Sequence, residues 1–264
     1  MSNKARVIAI ANQKGGVGKT TTTLTLGAAL ALRGQRVLIM DLDPHACASV
    51  HMRLYPEELE TTAYDLFIAD EGSRLEVWQR LRQRIESPAM DIAPGSIRLA
   101  ELDVDLRSHK GKGAILLRAL SLVEEEYDYI LLDCPPHVGI LLANALVACN
   151  LLIIPIQTDF LALHGLKLIF DTLRILNKVL PAPIEYRALA TMYDKRARAC
   201  TKVLDLTRQK MGDRMFETVI GVDTHFRDAS ALGKVIYELE PGSRGAVAYG
   251  ELAQELLRYD QKIA

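Results

Sequence analysis

Residues 14 to 21 read Lys-Gly-Gly-Val-Gly-Lys-Thr-Thr and directly follow the apolar run Val7-Ile8-Ala9-Ile10-Ala11. A strand that feeds a glycine-rich turn, which then opens a helix, aims successive backbone N–H groups and the positive helix end at one point. That is an anion cradle. Gly15, Gly16 and Gly18, with Val17 between them, let the backbone approach a phosphate chain. Lys19 adds a point charge for the β- and γ-phosphates, and the Thr20 hydroxyl, followed by Thr21, is placed to ligate a divalent cation. The expected ligand is ATP with Mg2+. An ordinary P-loop, G-x-x-x-x-G-K-[ST], has glycine where this chain has Gln13 and does not require Lys14.

Two further strands end in acid. Arg36 to Asp41 runs into Asp41-Leu42-Asp43-Pro44, which sets carboxylates at the edge of a parallel sheet where ligands of open α/β sheets bind. Tyr129-Ile130-Leu131-Leu132-Asp133 is an apolar strand whose closing carboxylate can hold magnesium beside Thr20, through a water. Pro135 and Pro136 stiffen the segment that follows. Alone, Asp-x-Asp-Pro also fits a surface turn, and an apolar strand ending in Asp is common. Their order behind a phosphate cradle gives them meaning.

Together these elements resemble the deviant Walker A ATPases of the ParA/MinD family, whose mark is K-G-G-x-G-K-T-T. The resemblance implies that Lys14 crosses a dimer interface to touch phosphates held by a second copy, so that ATP is bound by a homodimer. It implies catalytic work for Lys14, Lys19 and Asp43. Asp43 would orient the attacking water and, with Thr20 and Asp133, support the metal. An arginine finger in trans is worth roughly 10³ to 10⁵ in rate. Lysine lacks the bidentate fork, so the lower end is expected for Lys14. Where the family continues D-x-D-P with Gln-Gly, this chain has His45-Ala46. Where the family's base loop reads Pro-Arg-Asn, it has Gly221-Val222-Asp223; these three and Met192 are the expected base contacts.

Met192-Tyr193-Asp194-Lys195-Arg196-Ala197-Arg198 and Asp223-Thr224-His225-Phe226-Arg227-Asp228-Ala229-Ser230 resemble ParA segments whose arginines hold the DNA backbone without reading sequence. The matching residues are Lys195, Arg196, Arg198 and Arg227, and such binding is steeply salt-dependent. Asp194, Asp223 and Asp228 dilute the charge, and solvated helix starts are the competing reading.

The resemblance continues to Ser243-Arg244-Gly245-Ala246-Val247-Ala248-Tyr249, ahead of the last helix. It implies a positioning ATPase that dimerises around ATP, coats the nucleoid and lets go when a partner stimulates hydrolysis. T-M-Y-D-K-R-x-R-A with D-T-x-F-R-D-A-S is similar to the branch that places chemotaxis arrays at cell poles. Plasmid or chromosome segregation with a ParB-like partner is the alternative cargo reading, and protein microcompartments a further one. A MinD-like membrane switch would need a basic amphipathic C-terminal helix. Here Glu251, Glu255 and Asp260 stand against Arg258 and Lys262, so stable membrane association is not expected. An iron-cluster ATPase needs two placed cysteines per subunit, and only Cys134 lies near the second acidic strand end. Cys134 is read as a spare thiol. A metabolic amidoligase on the same P-loop is the remaining alternative.

The bulk numbers agree with a folded α/β chain. Of 264 residues, 49% are hydrophobic and 25% charged, enough for a large core. The formal net charge of −1 means that any affinity for nucleic acid must come from a local patch. Cys47, Cys134, Cys149 and Cys200 show no metal spacing, which fits a reducing compartment and no disulfide. The N-terminus lacks the apolar stretch of a signal peptide. The expected location is cytoplasmic, on the nucleoid or at a pole.

Strands are expected near Val7–Ala11, Arg36–Asp41, Met90–Ala93, Tyr129–Asp133, Leu151–Ile156, Tyr186–Met192 and Thr218–Val222. Helices are expected over Thr20–Leu32, Gly113–Glu126, Gly139–Ala148, Leu163–Val179, Ala197–Met211 and Arg244–Tyr259. The pattern predicts one P-loop domain spanning 1–264, a mostly parallel twisted sheet with helices on both faces. The apolar stretch Ile140–Ile156 is interrupted by Asn144, Asn150 and Pro155, and reads as a buried helix then a buried strand. His51 to Pro88 carries little signal, although Trp78, at helical spacing from Leu75 and Leu81, reads as core.

Overall fold

The computed structural model describes residues 4–159 and 162–263. Strands and helices alternate from the start: β1 (Arg6–Ile10), α1 (Lys19–Ala31), β2 (Val37–Asp41) and α2 (Cys47–His51). Next come α3 (Ala63–Ile68), α4 (Arg74–Leu81), β3 (Gln83–Ile85), β4 (Met90–Ala93), α5 (Leu102–Asp105) and α6 (Ile115–Leu120). The middle holds β5 (Tyr129–Asp133), α7 (Ile140–Ala148), β6 (Leu151–Gln157) and α8 (Ala162–Leu176). The last third is β7 (Tyr186–Tyr193), α9 (Arg198–Met211), β8 (Met215–Gly221), α10 (His225–Leu232), α11 (Ile236–Leu239) and α12 (Arg244–Ile263).

All eight strands join one sheet in the order β3-β4-β2-β5-β1-β6-β7-β8. Every pairing is parallel except β3 with β4. Short strands with the side-chain period of two feed opposite faces. Val7, Ala9, Leu38, Met40, Ile130 and Leu132 enter one core, which includes α7 and α8. Ile8, Ile10, Val37, Ile39 and Leu131 enter the other, with Leu24 of α1 and Leu252 and Leu256 of α12. This is the expected α/β layering. The antiparallel edge strand β3 was not anticipated, nor were the short helices between residues 47 and 105. The expected helix over Gly113–Glu126 shortens to α6, and β8 begins at Met215, earlier than its apolar pattern indicated.

The polar residues inside apolar stretches explain themselves by their bonds. Asn144 accepts from the Leu116 amide and donates to the Lys112 and Ile140 carbonyls, while Asn150 accepts from Val7 N at 2.7 Å. They tie α7 and the start of β6 to neighbouring chain. Among the described residues no helix is long and apolar enough to cross a membrane. Helix α12 buries Leu252 and Leu256 completely, and its Glu255 carboxylate accepts from Glu217 N, Thr218 N and the Thr218 hydroxyl. The apolar face of α12 is therefore packed against α1 and the sheet.

Trp78 is fully buried, and its indole N–H donates to the Ala119 carbonyl at 2.8 Å. Trp78→Ala is expected to destabilise the fold by about 3–5 kcal/mol through the cavity it leaves. Leu75→Ala on the exposed face of α4 is expected to stay within about 0.5 kcal/mol. Denaturant unfolding of both variants checks the contrast.

Candidate functional site

Sheet register builds the site before any side chain is considered. Ile10 at the end of β1 and Asp41 at the end of β2 both lie opposite Asp133 of β5, so the P-loop and two carboxylates share one edge. The turn itself is a left-handed excursion: Gly16 and Gly18 have φ of 72° and 88°, which a side chain resists. Asn12 fixes its entry, donating to the Pro155 carbonyl at 2.7 Å while accepting from Lys14 N at 3.0 Å. The Thr191 hydroxyl of β7 holds the crown through the Val17 carbonyl at 2.9 Å. Neither anchor was identified from sequence; an amide or hydroxyl just outside a motif carries no signal until the strands it bridges are known.

Lys19 is buried at the first turn of α1, with Nζ 3.4 Å from the Lys14 carbonyl. Thr20 donates its hydroxyl to Asp133 at 2.7 Å, and Thr23 donates to the other Asp133 oxygen at 3.3 Å. Asp133 is pushed upward in pKa by burial and by the Asp41 carboxylate, and Asp41 by its own burial. An edge carrying Asp41, Asp43 and Asp133 is short of positive charge. Among the described residues no three His, Cys, Asp or Glu side chains converge on one point. The hard oxygen donors fit Mg2+, which Thr20, Asp43 and Asp133 would hold.

Above this edge lies a cavity of about 900 Å³. Gly15, Gly16, Gly18, Lys19, Thr20, Thr21, Asp43 and Cys47 line one end, and Met192, Gly221, Val222, Asp223, Phe226 and Tyr249 the other. The expected phosphate and base residues, apart from Lys14 and Val17, thus line one space. The Asp223 carboxylate is spent on the fold, accepting from His225 N, His225 Nδ1 and Gly245 N at 3.0, 2.7 and 2.8 Å. That end of the cavity offers backbone and the apolar Met192 and Phe226 rather than a free carboxylate. Cys134 is buried, its thiol 3.5 Å from the Leu132 carbonyl, and burial raises its pKa well above the usual thiol value.

Lys14 leaves the loop sideways. Its ammonium group sits 2.5 Å from Asp159 and 3.3 Å from Gln157 of its own chain. His45, in the place of the family's glutamine, directs Nδ1 to Asp43 at 2.9 Å and its backbone N–H to the same oxygen at 3.0 Å.

The expected DNA residues do not gather at one place. Lys195 and Arg198 line a groove of about 440 Å³ with Thr201 and Lys202. Arg196 is turned back in a fork onto Asp194, with contacts of 3.0 and 2.8 Å, and its hydrogen bonds hold Asp194 down at about 2. Arg227 lies elsewhere, on the wall of the phosphate cavity.

Fold and site together define a P-loop nucleotide-binding protein built on a mostly parallel sheet. The AAA_31 family model, an AAA domain, matches residues 5–185. The sporulation initiation inhibitor protein Soj of Bacillus subtilis is 36% identical over 252 residues, covering 95% of this chain and 98% of its own. The chromosome partitioning protein ParA of Caulobacter vibrioides is 33% identical over 259 residues, 97% and 95% of the two chains. Cobyrinic acid a,c-diamide synthase from Mycobacterium smegmatis, in a crystal structure with ADP and magnesium, superposes with a TM-score of 0.79 at 30% identity. That match covers 98% of this chain and 97% of the other. The chain belongs to the ParA/MinD family of deviant Walker A ATPases.

The raised Asp133 pKa has a stability consequence whose sign is fixed. A carboxyl that binds its proton more tightly folded than unfolded costs stability as pH rises through the interval between its unfolded and folded values. Without nucleotide or metal, Asp133→Asn is expected to melt higher than the parent at about pH 8, with the gain shrinking as pH falls toward the ordinary carboxylate range. Thermal melts across pH check it; a pH-independent difference would contradict the charge argument.

Proposed function

We propose that the chain is a Mg2+-dependent ATPase that pairs with a second copy when ATP is bound. In that paired state it binds DNA nonspecifically and positions or segregates a cargo. The single observation that carries the reading is Lys14, whose ammonium group reaches Gln157 on the cavity wall at 3.3 Å. Its pair with Asp159 leaves Lys14 and Asp159 side chains 25% and 37% exposed. Such a pair is worth at most about 1 kcal/mol, so a partner's triphosphate, with several charges, outcompetes it readily. Lys14 then neutralises charge across the interface.

Within each copy the P-loop amides and Lys19 bind the phosphates, and Asp43 orients the water that attacks the terminal phosphorus. Mg2+ held by Thr20, Asp43 and Asp133 would supply charge neutralisation for the transferred group. Met192, Gly221, Val222 and Asp223 form the base end. Hydrolysis removes what the partner copy's Lys14 holds, the dimer parts, and DNA is released. An adaptor that speeds hydrolysis sets where release occurs. On the segments around Lys195 and Arg227 the cargo is a chemotaxis array; chromosome or plasmid DNA with a ParB-like partner is the alternative. The chain works in the cytoplasm, on the nucleoid or at a pole.

Lys195 and Arg198 supply the groove for the phosphate backbone. Arg196 joins them once its fork to Asp194 opens, and Arg227 is the outlying contact. Binding to random-sequence DNA is expected with ATP only, and to weaken steeply between two salt concentrations. Binding that is equal with ATP, ADP and no nucleotide would contradict it. Lys14→Gln is expected to keep ADP affinity within about fivefold of the parent, since a lost, partly exposed charge contributes under about 1 kcal/mol, and to lose ATP-dependent dimerisation by light scattering. Normal dimerisation of this variant with ATP would remove the assignment.

A further inference from the structure

Asp41 is fully buried at the end of β2 and does not line the cavity. Its carboxylate nonetheless accepts three hydrogen bonds. One oxygen accepts from Asp43 N at 3.1 Å; the other accepts from Ser49 N at 2.9 Å and from the Ser49 hydroxyl at 2.7 Å. The Ser49 oxygen in turn accepts from Gly95 N at 2.9 Å, just past β4. Gly95 must be glycine at this point, because a Cβ there would lie 2.8 Å from the Asp41 carbonyl oxygen and 3.1 Å from its carboxyl carbon.

The loop carrying Asp43 is thus held at both ends by one carboxylate. It leaves β2, makes a left-handed turn at Ala46 with φ of 49°, and returns as α2 to Ser49. Asp43 and Cys47 face the cavity between these anchors. We infer that Asp41, Ser49 and Gly95 form a clasp that sets the position of Asp43, and that Asp41 and Ser49 are positioning residues for hydrolysis without touching nucleotide. The inference rests on the hydrolytic role proposed for Asp43. Misplacing a reacting group by about 1 Å can cost 10²-fold in rate. Loosening one end of the loop therefore acts on the chemical step, while nucleotide affinity, set by the P-loop, stays.

Ser49→Ala is expected to lower kcat for ATP hydrolysis about 10-fold or more while KM stays within about twofold, and Ser49→Thr, which keeps the hydroxyl, to recover most of the rate. Gly95→Ala perturbs the same clasp from the opposite side and is expected to lower kcat similarly. In an Asp43→Ala background, Ser49→Ala is expected to add nothing, since the group it positions is gone. An unchanged kcat in Ser49→Ala, or an equal further loss in the Asp43→Ala background, overturns the inference. If Asp43→Ala itself keeps full activity, the hydrolytic reading of Asp43 fails instead. The clasp is then judged by amide hydrogen exchange of the nucleotide-free protein, where Ser49→Ala is expected to speed exchange across residues 42–48 and unchanged exchange overturns it.

Discussion

Negative charge is crowded at the carboxyl edge of the sheet, and the rest of the active edge is arranged around it. Asp41 and Asp133 end adjacent strands in register, and Asp43 follows two residues later. Buried carboxylates are tolerated only when hydrogen bonds or cations compensate them. Threonine hydroxyls serve Asp133, Ser49 serves Asp41, and His45 serves Asp43. Lys19 is the buried cation among them. What the protein cannot supply from its own side chains is a divalent charge, and this shortage gives a magnesium nucleotide its hold on the fold.

Much of this could be read from the chain because the motif and the strand pattern report the same geometry twice. A glycine-rich string between an apolar strand and a helix fixes Lys19 and Thr20 at the edge, and the apolar run Tyr129–Leu132 fixes Asp133 beside them. The segment between His51 and Pro88 was opaque for a physical reason. Its helices and edge strand are short, so no element completes enough turns or alternations for a period to emerge, and Trp78 alone revealed a buried face. Asp223 was equally illegible. A carboxylate in a base loop looks available until its three donors, two of them from His225 and one from Gly245, are seen to consume it. Arg227 was grouped with Lys195 and Arg198 through resemblance to ParA segments, which says nothing of where each turn leads; the turn after β8 sets it on the wall of the phosphate cavity.

Lys14 illustrates how a charge can be both satisfied and available. Asp159 and Gln157 at the end of β6 give it a resting place on its own chain, which spares the single chain an uncompensated ammonium beside Lys19. The contact is partly solvated and therefore weak. A residue held that loosely can leave its partner without unfolding anything, which a buried ion pair would not permit.

The bond from Gly245 N to Asp223 has a consequence for how the chain tolerates alteration at its far end. It makes the base wall and the first turn of α12 one mechanical piece, and Glu255 welds the same helix to β8. Helix α12, which also gives Tyr249 to the cavity lining, is thus mechanically joined to that wall. A tag or truncation that lifts this helix from the sheet would be felt as a change in the shape of the cavity wall, far from the point of modification in sequence but adjacent to it in space.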